Sequence, residues 1–367
     1  MIHRRIVPIS KNSHLKLMNG TNNVSSNKTL SVLTYNMLSP YYMWPQVYTY
    51  VPDKFKDWNY RHKLLEYELF YKHKADILCL QELTTEDYNQ FWRKQMKRRL
   101  SYGSNFISKP PPKYWTAGLQ EMDGVGTFYN TEKLEFISST VIYLNDFLSM
   151  FSKRELDWMS RRQITQTNGA NDPVTTRSLL SILLDRNQVC LFVCLREKDT
   201  KSLIVVVNTH LYWKYDEVKL SQCLTIMRKL KQVINKLTTT LEGVTYSQIK
   251  IILGGDLNST RDSLLIKFLN GNIITHGELN LQNSMRPFLS HNVYDSVPHG
   301  IFDNTCYSGK LKGIFDYIWF HERDFKLISV LSGKEVSEEL SSTGQFGLPN
   351  EIHPSDHIPI FIEFEIL

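Results

Sequence analysis

Five short segments of the chain combine carboxylate, carboxamide and imidazole side chains. The segments are Thr34-Tyr35-Asn36, Leu80-Gln81-Glu82, Asn208-Thr209-His210, Gly254-Gly255-Asp256-Leu257-Asn258 and Ser355-Asp356-His357. Carboxylate and amide oxygens are hard ligands that suit Mg²⁺, and imidazoles and carboxylates can transfer protons near neutral pH. Each segment alone is a weak signal. The five together predict a magnesium site beside general acid–base groups. An enzyme with both can cleave a phosphoester.

The first four segments each end or follow a run that is typical of a buried strand. The runs are residues 30–35, 76–80, 203–207 and 249–253. Short apolar runs of this length are consistent with strands that are covered on both faces. Several strands that end in metal ligands and titratable rings would collect these side chains at one edge of a sheet. Asp316, which stands before the last two predicted strands, adds a further carboxylate.

The rest of the chain shows the hydrophobic periods of both helices and strands. Helices are predicted at 61–71, 86–100, 216–237 and 262–269, and strands at 124–129, 134–144, 178–184, 189–195, 315–320, 325–331 and 358–364. A long polar insertion, residues 150–177, is expected to be a lid, a binding element or a disordered segment. Gly254-Gly255 precedes an Asp at a strand end and opens no P-loop. The pattern therefore favours an α/β fold in which a sandwich of two sheets is flanked by helices.

Composition and cysteine usage narrow the class of protein. The 367 residues, 42% of them hydrophobic, can bury a sizeable core. The longest apolar run, residues 189–195, is much shorter than the roughly 20 residues of a membrane span, so no membrane span is expected. The five cysteines have neither zinc-site nor Cys-x-x-Cys spacing. That spacing predicts buried reduced thiols and an intracellular location.

The first 52 residues carry the excess of positive charge. They contain five basic side chains and no acidic one, and the remainder is close to neutral within a formal net charge of +6. Global charge therefore does not indicate a nucleic-acid partner. Residues 1–29, rich in Ser and Asn, resemble a mitochondrial transit peptide, although Pro8 would break an early helix. We expect them to lie outside the fold, as a mitochondrial targeting segment or as the disordered tail of a cytoplasmic protein.

A second basic stretch, residues 90–120, interleaves charge with aromatic rings. It holds seven Lys or Arg side chains and no acid before Glu121, with Tyr102, Phe106, Tyr114 and Trp115 among them. Such a surface can bind a single-stranded polynucleotide, because the cations bind phosphates and the rings stack on bases. A solvated helix face followed by a Pro-rich loop explains the pattern equally well. Both interpretations stay open at this point.

The polar segments, in this order, resemble the endonuclease/exonuclease/phosphatase superfamily. Five longer motifs are similar to one branch of it, which holds the carbon-catabolite-repressor deadenylases, nocturnin, the angel proteins and small yeast relatives. The motifs are Trp58-x-Tyr60-Arg61 and residues 75–82, 123–129, 208–213 and 312–317. The resemblance covers about residues 30–367. It implies one catalytic domain with the four-layer α-β-β-α sandwich of DNase-like enzymes.

The resemblance implies a metal site. Glu82, with Asn36, would hold Mg²⁺, and Asp356 would support the site. Asp256 would orient and deprotonate the attacking water and would take part in the metal site as well. One or two ions are expected, and Mn²⁺ is expected to be able to substitute. Such sites combine few protein ligands with water and substrate phosphate.

The resemblance also implies roles for the remaining polar residues. His357 would donate to a nonbridging phosphate oxygen while Asp316 orients its ring, which is preorganised electrostatic stabilisation. His210 would face the phosphate, and Asn258 would hydrogen-bond the scissile phosphate or a water on the metal. The residues expected to contact the substrate are Asn208, Trp213 and Leu311.

The substrate-binding positions depart from the poly(A)-specific members of the branch. In those enzymes a proline closely follows the Leu-Tyr-Trp segment and a phenylalanine precedes the Lys-Gly dipeptide, and the two side chains clamp an adenine. Here Lys214 follows Trp213, Leu311 stands in place of the phenylalanine, and Cys306 aligns with a substrate-contacting asparagine. We therefore expect no strict preference for poly(A).

The expected function is Mg²⁺-dependent hydrolysis of RNA, acting at single-stranded 3′ ends. An alternative keeps the chemistry but removes phosphate from a nucleotide or an RNA terminus, as in nocturnin or angel proteins. A third possibility, from another class, is a catalytically dead RNA-binding adaptor. The complete set of polar residues argues against the adaptor. That set is Glu82, His210, Asp256, Asn258, Asp316 and His357.

Overall fold

A computed structural model describes residues 4–9, 28–112, 115–116, 118–166, 174–276, 279–309 and 311–367. The strands are β1 Ile6–Pro8, β2 Thr29–Asn36, β3 Ile77–Thr84, β4 Tyr102–Ser108, β5 Asp123–Asn130, β6 Leu134–Tyr143, β7 Gln163–Gln166, β8 Thr175–Ser178, β9 Val189–Glu197, β10 Leu203–His210, β11 Ile249–Asp256, β12 Ile274–His276, β13 Leu279–Leu281, β14 His291–Asn292, β15 Cys306–Ser308, β16 Leu311–Gly313, β17 Asp316–Phe320, β18 Phe325–Leu331 and β19 Ile360–Ile366. The helices are α1 Asp53–Lys56, α2 Trp58–Tyr67, α3 Thr85–Asp87, α4 Arg93–Leu100, α5 Lys153–Arg161, α6 Leu179–Leu184, α7 Asp216–Thr240, α8 Leu264–Leu269, α9 Val293–Ser296 and α10 Lys334–Thr343.

Two large sheets are built from strands that are far apart in the sequence. The seven-stranded sheet has the order β1-β18-β19-β2-β3-β5-β4, and the six-stranded sheet has the order β14-β17-β11-β10-β9-β6. The pairs β2–β3 and β10–β11 are parallel. The C-terminal strand β19 lies antiparallel to β2. The strands that the sequence predicts to end in polar side chains are thus central strands of the two sheets.

The two sheets face each other, and helices cover their outer faces. Successive side chains of a strand point to opposite faces, so Val32 of β2 joins the core between the sheets while Leu33 packs in a second cluster with Leu65 of α2. A Cβ on Gly254 of β11 would lie 3.3 Å from Cys79 Sγ of β3, so glycine allows the sheets to approach closely there. The apolar stripe of α7 belongs to the same large core as β9–β11. The four-layer α-β-β-α sandwich is confirmed.

Residues 4–9 are part of the fold, which corrects the expectation that residues 1–29 lie outside it. Strand β1 pairs antiparallel with β18 at the sheet edge. Arg4 is 9% exposed, and its guanidinium donates to the backbone carbonyls of Ser332, Leu331 and Pro359 at 2.6, 3.3 and 2.9 Å. Three residues that pair with a remote strand leave no periodic signal in the sequence. Residues 1–3 and 10–27 lie outside the described residues.

Segment 178–184 is a helix rather than the predicted strand. Ser178 caps α6 by accepting a hydrogen bond from the backbone N–H of Ser181 at 3.2 Å. Leu179, Ile182 and Leu183 are buried, and their spacing of three and four residues fits one helix face. A short apolar run does not distinguish a strand from a buried helix. The capping serine was the signal that favoured the helix.

The polar insertion, residues 150–177, contains secondary structure of its own. It includes helix α5, which begins with a capping box formed by Ser152 and Glu155, and the hairpin β7–β8. Arg228 of α7 stacks over Phe151 at 4.2 Å and forms an ion pair with Glu155. These contacts anchor the insertion on the outer helix layer. Residues 167–173 lie outside the described residues.

The cysteines are buried thiols, as their spacing predicts. All five cysteines are buried and none is part of a disulfide. Burial raises the pKa of Cys79 to about 12, and an elevated pKa keeps a thiol unreactive at neutral pH. Within the described part of the chain, no helix is both long enough and apolar enough to cross a membrane.

Candidate active site

The polar strand ends meet at one edge that both sheets share. In the six-stranded sheet, His210 of β10 lies opposite Asp256 of β11, which lies opposite Asp316 of β17. In the facing sheet, Asn36 ends β2 and donates from Nδ2 to Asp256 Oδ2 at 3.0 Å. His357 precedes β19 at the same edge and forms an isolated bridge with Cys306, the residue that begins β15. Residues from five distant parts of the chain thus converge.

A backbone irregularity turns Glu82 toward this edge. The register of β3 against β5 shifts at Glu82, whose φ is +55°. The left-handed conformation costs a non-glycine residue roughly 1–2 kcal/mol, so surrounding contacts must hold it in place. Oε1 accepts a hydrogen bond from Asn36 Nδ2 at 3.0 Å, and Oε2 accepts one from the backbone N–H of Ser39 at 2.9 Å. The carboxylate is therefore fixed in one orientation.

The carboxamide of Asn36 bridges two carboxylates. Nδ2 donates to Glu82 Oε1 and to Asp256 Oδ2, both at 3.0 Å, while Oδ1 accepts from the backbone N–H of Leu38 at 3.0 Å. This orientation is assigned from the hydrogen-bond network. It holds the two carboxylates in a fixed relation across the sheets. The role of Asn36 as a metal ligand stays a prediction, because its oxygen already accepts a backbone hydrogen bond.

Asp256 is a buried carboxylate in a tight turn after its strand. Its side chain is 1% exposed, and Oδ1 accepts from the backbone N–H of Asn258 at 2.9 Å. Asn258 has a φ of +48°, and its Nδ2 donates to the carbonyl of Leu211 at 2.9 Å. Burial, followed by the charge of Asp316, raises the pKa of Asp256 to about 6. The predicted contact of Asn258 with phosphate stays a prediction, since its amide is engaged by the backbone.

His357 and Asp316 form a buried pair. His357 Nδ1 lies 2.8 Å from Asp316 Oδ2, which also accepts from Thr305 Oγ1 at 2.7 Å. The other ring nitrogen, Nε2, is 3.7 Å from Asp256 Oδ2. Burial alone would lower the pKa of His357, but the neighbouring carboxylates, Asp316 foremost, hold that pKa well above its usual value. This shift favours the protonated, positively charged ring.

The pKa of His210 is shifted in the opposite direction, which favours a neutral ring. Burial, followed by the positive charges of Lys109 and His357, lowers the pKa of His210 well below its usual value. Its Nε2 lies 3.6 Å from Asp256 Oδ2. Its Nδ1 is buried and has no hydrogen-bond partner among the described residues. A buried ring nitrogen without a partner is costly, so the site is arranged for a further ligand.

The carboxylates at this edge form a donor set that fits a divalent cation. Burial, followed by the charges of Asp123 and Asp356, raises the pKa of Glu82 to about 7. Asp356 Oδ2 accepts a hydrogen bond from Tyr48 at 2.9 Å. A bound cation would relieve the repulsion among these acids, and carboxylate oxygens are the ligands that hard cations prefer. Glu82 and Asp356, with Asp256 beside them, are the residues that would hold the ion.

Two groups of buried side chains have ligand atoms within 4.8 Å of one another. They are Asp256, Asp316 and His357, and Cys306, Asp356 and His357. Both groups lie at the same edge of the sheets. They show that four predicted site residues, Asp256, Asp316, Asp356 and His357, lie together with Cys306.

A cleft of about 1270 Å³ opens above the polar edge. Residues of the cluster that line it are Asn36, Glu82, His210, Asp256, Asn258, Asp356 and His357. Trp213 and Leu311, which were predicted to contact substrate, line the cleft too and are 61% and 51% exposed. The volume exceeds the ~300–1,000 Å³ typical of small-molecule pockets. The cleft can therefore take an extended ligand.

The sequence model of the Endonuclease/Exonuclease/phosphatase family matches residues 33–357, nearly all of the sheet sandwich. The chain belongs to this family. It is accordingly a hydrolase that acts on phosphoester bonds. Enzymes of the family generally depend on divalent metal ions, in agreement with the acidic cluster at the sheet edge.

Two curated members of the family place the chain within it. It is 53% identical to RNA exonuclease NGL1 of Saccharomyces cerevisiae over 369 residues, which cover 100% of each chain. It is 28% identical to the CCR4-Not complex 3'-5'-exoribonuclease subunit Ccr4 of Candida albicans over 93% of this chain, and it spans only 42% of that protein. The resemblance to the deadenylase branch is confirmed.

Solved structures of the family share the fold. ANGEL2, described as a 2',3'-cyclic phosphatase and solved in complex with adenosine-2',3'-vanadate, has a TM-score of 0.68 at 19% identity, covering 100% of this chain and 99% of its own. The human Nocturnin catalytic domain with bound sulfate has a TM-score of 0.59 at 17% identity, covering 99% and 98%. At this identity the likeness establishes the family fold alone.

Asn208 does not reach the cleft, which contradicts its predicted contact with substrate. It is 0% exposed. Its Nδ2 donates to the carbonyls of Leu80 and Gly126 at 3.3 and 3.0 Å, and its Oδ1 accepts from Gln81 at 2.8 Å. Side chains two positions apart on a strand share a face, so Asn208 lies on the face of His210 but one layer deeper. It links the two sheets instead of contacting a ligand.

The family motifs did not reveal every residue of the cleft. Lys109 lines it, is 6% exposed, and donates to Asp123 at 2.6 Å, where Asp123 begins one of the motifs. Arg186 also lines the cleft and stacks over the ring of Tyr212 at 4.8 Å. Phe346 stands on the rim and is 54% exposed. The motif Asp123–Tyr129 pointed to the Lys109–Asp123 pair. The sequence contained no signal for Phe346.

The basic stretch, residues 90–120, is divided between two surfaces. In α4, Arg99 stacks over Phe70 at 4.6 Å and pairs with Glu66 at 3.4 Å, and no residue of α4 lines the cleft. Further along, Lys109 and Trp115 do line it. The helix therefore presents a solvated face, as the simpler interpretation held, and only the loop after β4 faces the cleft. Residues 113, 114 and 117 lie outside the described residues.

Proposed function

We propose that this family member is a Mg²⁺-dependent exoribonuclease that degrades RNA from its 3′ end without strict preference for poly(A). One observation carries the proposal. Glu82, Asp256 and His357, the last bonded to the buried Asp316, line an open cleft that also presents exposed rings and cations. Identity of 53% to an RNA exonuclease over its whole length supports RNA as the substrate.

Asp256 is the group that removes a proton from the attacking water. A general base works best when its pKa lies near the working pH, and burial raises the pKa of Asp256 to about 6. Asn258 fixes one carboxylate oxygen and Asn36 approaches the other. A Mg²⁺ ion held by Glu82 and Asp356 would neutralise charge on the phosphate oxygens and polarise the phosphorus.

The two histidines stabilise charge on the phosphate in different protonation states. His357 is positively charged and oriented by Asp316, so its Nε2 can donate to a nonbridging oxygen as negative charge grows there. His210 is neutral, so one ring nitrogen donates while the other accepts. A preorganised donor is worth more than one that must reorient, because the protein has already fixed its position.

A second candidate activity is removal of phosphate from a nucleotide or an RNA end. The observation that favours it is the fold likeness to ANGEL2, which is described as a 2',3'-cyclic phosphatase. The same water, base and imidazolium would serve that reaction. The size of the cleft favours the polymer, since a nucleotide would occupy only part of it.

Incubation of the purified protein with end-labelled RNA tests both activities. The substrates are RNA homopolymers, single-stranded DNA, RNA with a 2',3'-cyclic phosphate end and NADP⁺, each with and without Mg²⁺. Stepwise shortening from the 3′ end that requires Mg²⁺ is expected for RNA. Glu82→Ala is compared with the control Glu135→Ala, because the side chain of Glu135 is 53% exposed and is not among those that line the cleft. If the protein removes the terminal phosphate without shortening the RNA, phosphatase activity replaces exonuclease activity as the function.

We also propose that the protein resides in mitochondria and retains residues 4–9 there. The basic, acid-free N-terminal region is the reason for proposing a mitochondrial location. The pairing of β1 with β18 and the burial of Arg4 support retention. Fusion of residues 1–40 to a fluorescent reporter tests mitochondrial targeting. N-terminal sequencing of the full-length protein from cells tests whether residues 4–9 are retained. A diffuse cytoplasmic signal from both the fusion and the full-length protein would contradict the mitochondrial location.

A further inference from the structure

A row of aromatic rings runs from the catalytic edge to the rim of the cleft. Tyr48 donates its hydroxyl hydrogen to Asp356 at 2.9 Å. The ring centroids of Tyr48 and Tyr50 are 6.2 Å apart, and those of Tyr50 and Phe346 are 5.6 Å apart at an interplanar angle of 67°. All three rings line the cleft. The row begins at a proposed metal ligand and ends on an exposed ring.

The loop that carries Phe346 is held by its backbone. Gly344 ends α10 with a φ of +65°, where most other residues would be strained. A Cβ on Gly347 would lie 2.4 Å from the carbonyl oxygen of Tyr307, and that same oxygen accepts from the backbone N–H of Leu348 at 3.0 Å. The loop is thus packed tightly against β15. Phe346 is fixed beside the cleft although half of its surface is exposed to water.

Tyr50 reinforces this arrangement from the opposite side of the loop. Its hydroxyl donates to the carbonyl of Leu348 at 2.6 Å and accepts from the backbone N–H of Gly309 at 2.9 Å. The same tyrosine packs its ring edge against Phe346. These contacts restrict the loop beside the ring, and a group that is already ordered loses less conformational entropy when a ligand binds.

A cation accompanies the exposed ring. Lys312 Nζ lies 5.1 Å from the ring centroid of Phe346. Leu311, the neighbouring residue, occupies the position where the poly(A)-specific enzymes have a phenylalanine, and it cannot stack as an aromatic ring does. An exposed ring with an ammonium group over it suits a nucleotide, because the ring can stack on a base and the cation attracts a phosphate.

We propose that Phe346 stacks on one base of the bound RNA strand and that Lys312 holds a phosphate next to that base. The proposal deepens the proposed function and rests on it. Phe346 thereby supplies, from the loop after α10, the aromatic surface that position 311 lacks. A phenyl ring offers no hydrogen bond to a base edge, so it binds all four bases and selects adenine weakly. Stacking on Phe346 then supplies affinity for RNA without restoring the adenine clamp that Leu311 lacks.

The test compares Phe346→Ala and Phe346→Trp with the control Tyr246→Ala. Tyr246 is 49% exposed and is not among the residues that line the cleft. Steady-state kinetics are measured on RNA oligonucleotides, on the same oligonucleotides with one abasic position moved along the strand, and on bis(p-nitrophenyl) phosphate, which has no base. Binding is measured separately in the inactive Asp256→Ala protein with RNA that carries 2-aminopurine at successive positions.

Phe346→Ala is expected to raise KM for RNA about tenfold with little change in kcat, while Phe346→Trp keeps KM near that of the parent protein. Hydrolysis of bis(p-nitrophenyl) phosphate stays unchanged, and so does every parameter of Tyr246→Ala. One abasic position should raise KM for the parent protein and add nothing further in Phe346→Ala. Quenching of 2-aminopurine at that same position should disappear when Phe346 is replaced.

Two results would overturn the stacking proposal: an unchanged KM for RNA in Phe346→Ala, or a loss that is equally large for every abasic substrate. The proposed function fails separately. If the parent protein does not shorten RNA but still quenches 2-aminopurine at one position through Phe346, the base site stands and the exonuclease does not. If RNA is neither bound with quenching nor shortened, both are rejected.

Discussion

His357 and Asp316 are joined by a buried hydrogen bond of 2.8 Å between Nδ1 and Oδ2, and their side chains are 8% and 0% exposed. The bond connects the segment before β19 of one sheet with the first residue of β17 in the other sheet. It therefore orients the imidazolium and ties the sheets together at the catalytic edge. Thr305 fixes the same carboxylate oxygen from a third direction.

Replacement of that carboxylate should shift the pH dependence of catalysis. The charge of Asp316 holds the pKa of His357 above its usual value, so in Asp316→Asn the imidazolium loses its proton at a lower pH. The alkaline limb of the kcat profile should move to lower pH, and kcat should fall ~10²-fold. Asp303→Asn, at an exposed aspartate, is the control. A profile with an unmoved alkaline limb would show that His357 does not act as a charged donor.

Loss of either main carboxylate should abolish metal-dependent turnover. Glu82→Ala removes the principal proposed metal ligand and Asp256→Ala removes the proposed base, and each loss is expected to cost ~10²-fold or more in kcat. Rates are measured at saturating Mg²⁺ on folded protein, with Glu135→Ala as the control. Near-normal turnover of Glu82→Ala under these conditions would mean that the metal site lies elsewhere.

Mg²⁺ should stabilise the protein more at alkaline than at acidic pH. The pKa of Glu82 is raised to about 7 in the folded metal-free protein, so folding favours its protonated form. That contribution to stability is present below the unfolded-state pKa and is lost as pH rises through about 7. Mg²⁺ requires the deprotonated form and competes with the proton. The rise in Tm on adding Mg²⁺ should thus be larger at about pH 8 than at about pH 5.5.

Glu82→Gln provides the check on this linkage, because its amide cannot titrate. The variant should show a smaller rise in Tm with Mg²⁺ and a weaker dependence of that rise on pH. An equal rise at both pH values in the parent protein would exclude Glu82 as the group that couples metal binding to proton release.

Adenine should not be strongly preferred over other bases. Leu311 and the absence of a proline soon after Trp213 remove an adenine clamp, and stacking on one ring is worth ~1–3 kcal/mol for any base. Initial rates on poly(A), poly(U) and poly(C) at equal concentrations measure the preference. Degradation of poly(A) about a hundredfold faster than the others would contradict the prediction and would mean that further residues recognise adenine.

Arg4 should matter more for stability than its neighbour Arg5. Arg4→Ala leaves three buried backbone carbonyls without this donor, and an unsatisfied buried group costs ~1–3 kcal/mol. The side chain of Arg5 is 73% exposed, while its partner Glu335 is 4% exposed, so water screens the cation of this pair. Urea unfolding should show a larger loss of stability for Arg4→Ala than for Arg5→Ala. A stability of Arg4→Ala equal to that of the parent protein would show that the contacts of residues 4–9 are dispensable.

Local patterns in the sequence determined most of the elements and the chemistry of the site. The apolar runs before Asn36, Glu82, His210 and Asp256 are strands in the structure, and their polar ends do meet. The reason is that a strand buried on both faces needs a continuous apolar run, and such a run is visible in one short window. The family resemblance added the four-layer architecture and the assignment of roles.

The same local patterns could not show how deeply each side chain is buried. Asn208 and His210 share a motif and a strand face, yet only His210 reaches the cleft. Depth depends on where the facing sheet covers the strand, and that is set by residues from other segments such as Leu80 and Gly126. The strand predicted for residues 178–184 was wrong for a related reason. Local hydrophobicity fits a strand or a helix, and packing decided between them.

Tertiary structure alone decided which remote segments complete the sheet and the cleft. Strand β1 joins the sheet through β18, and Phe346 reaches the rim through a loop that packs against β15. Neither segment has a motif or a period, because its position is determined by backbone hydrogen bonds to a partner more than thirty residues away. The sequence thus determined the reactive groups and the strands that carry them, while sheet pairing and loop packing determined the depth of each group and the surface that meets the substrate.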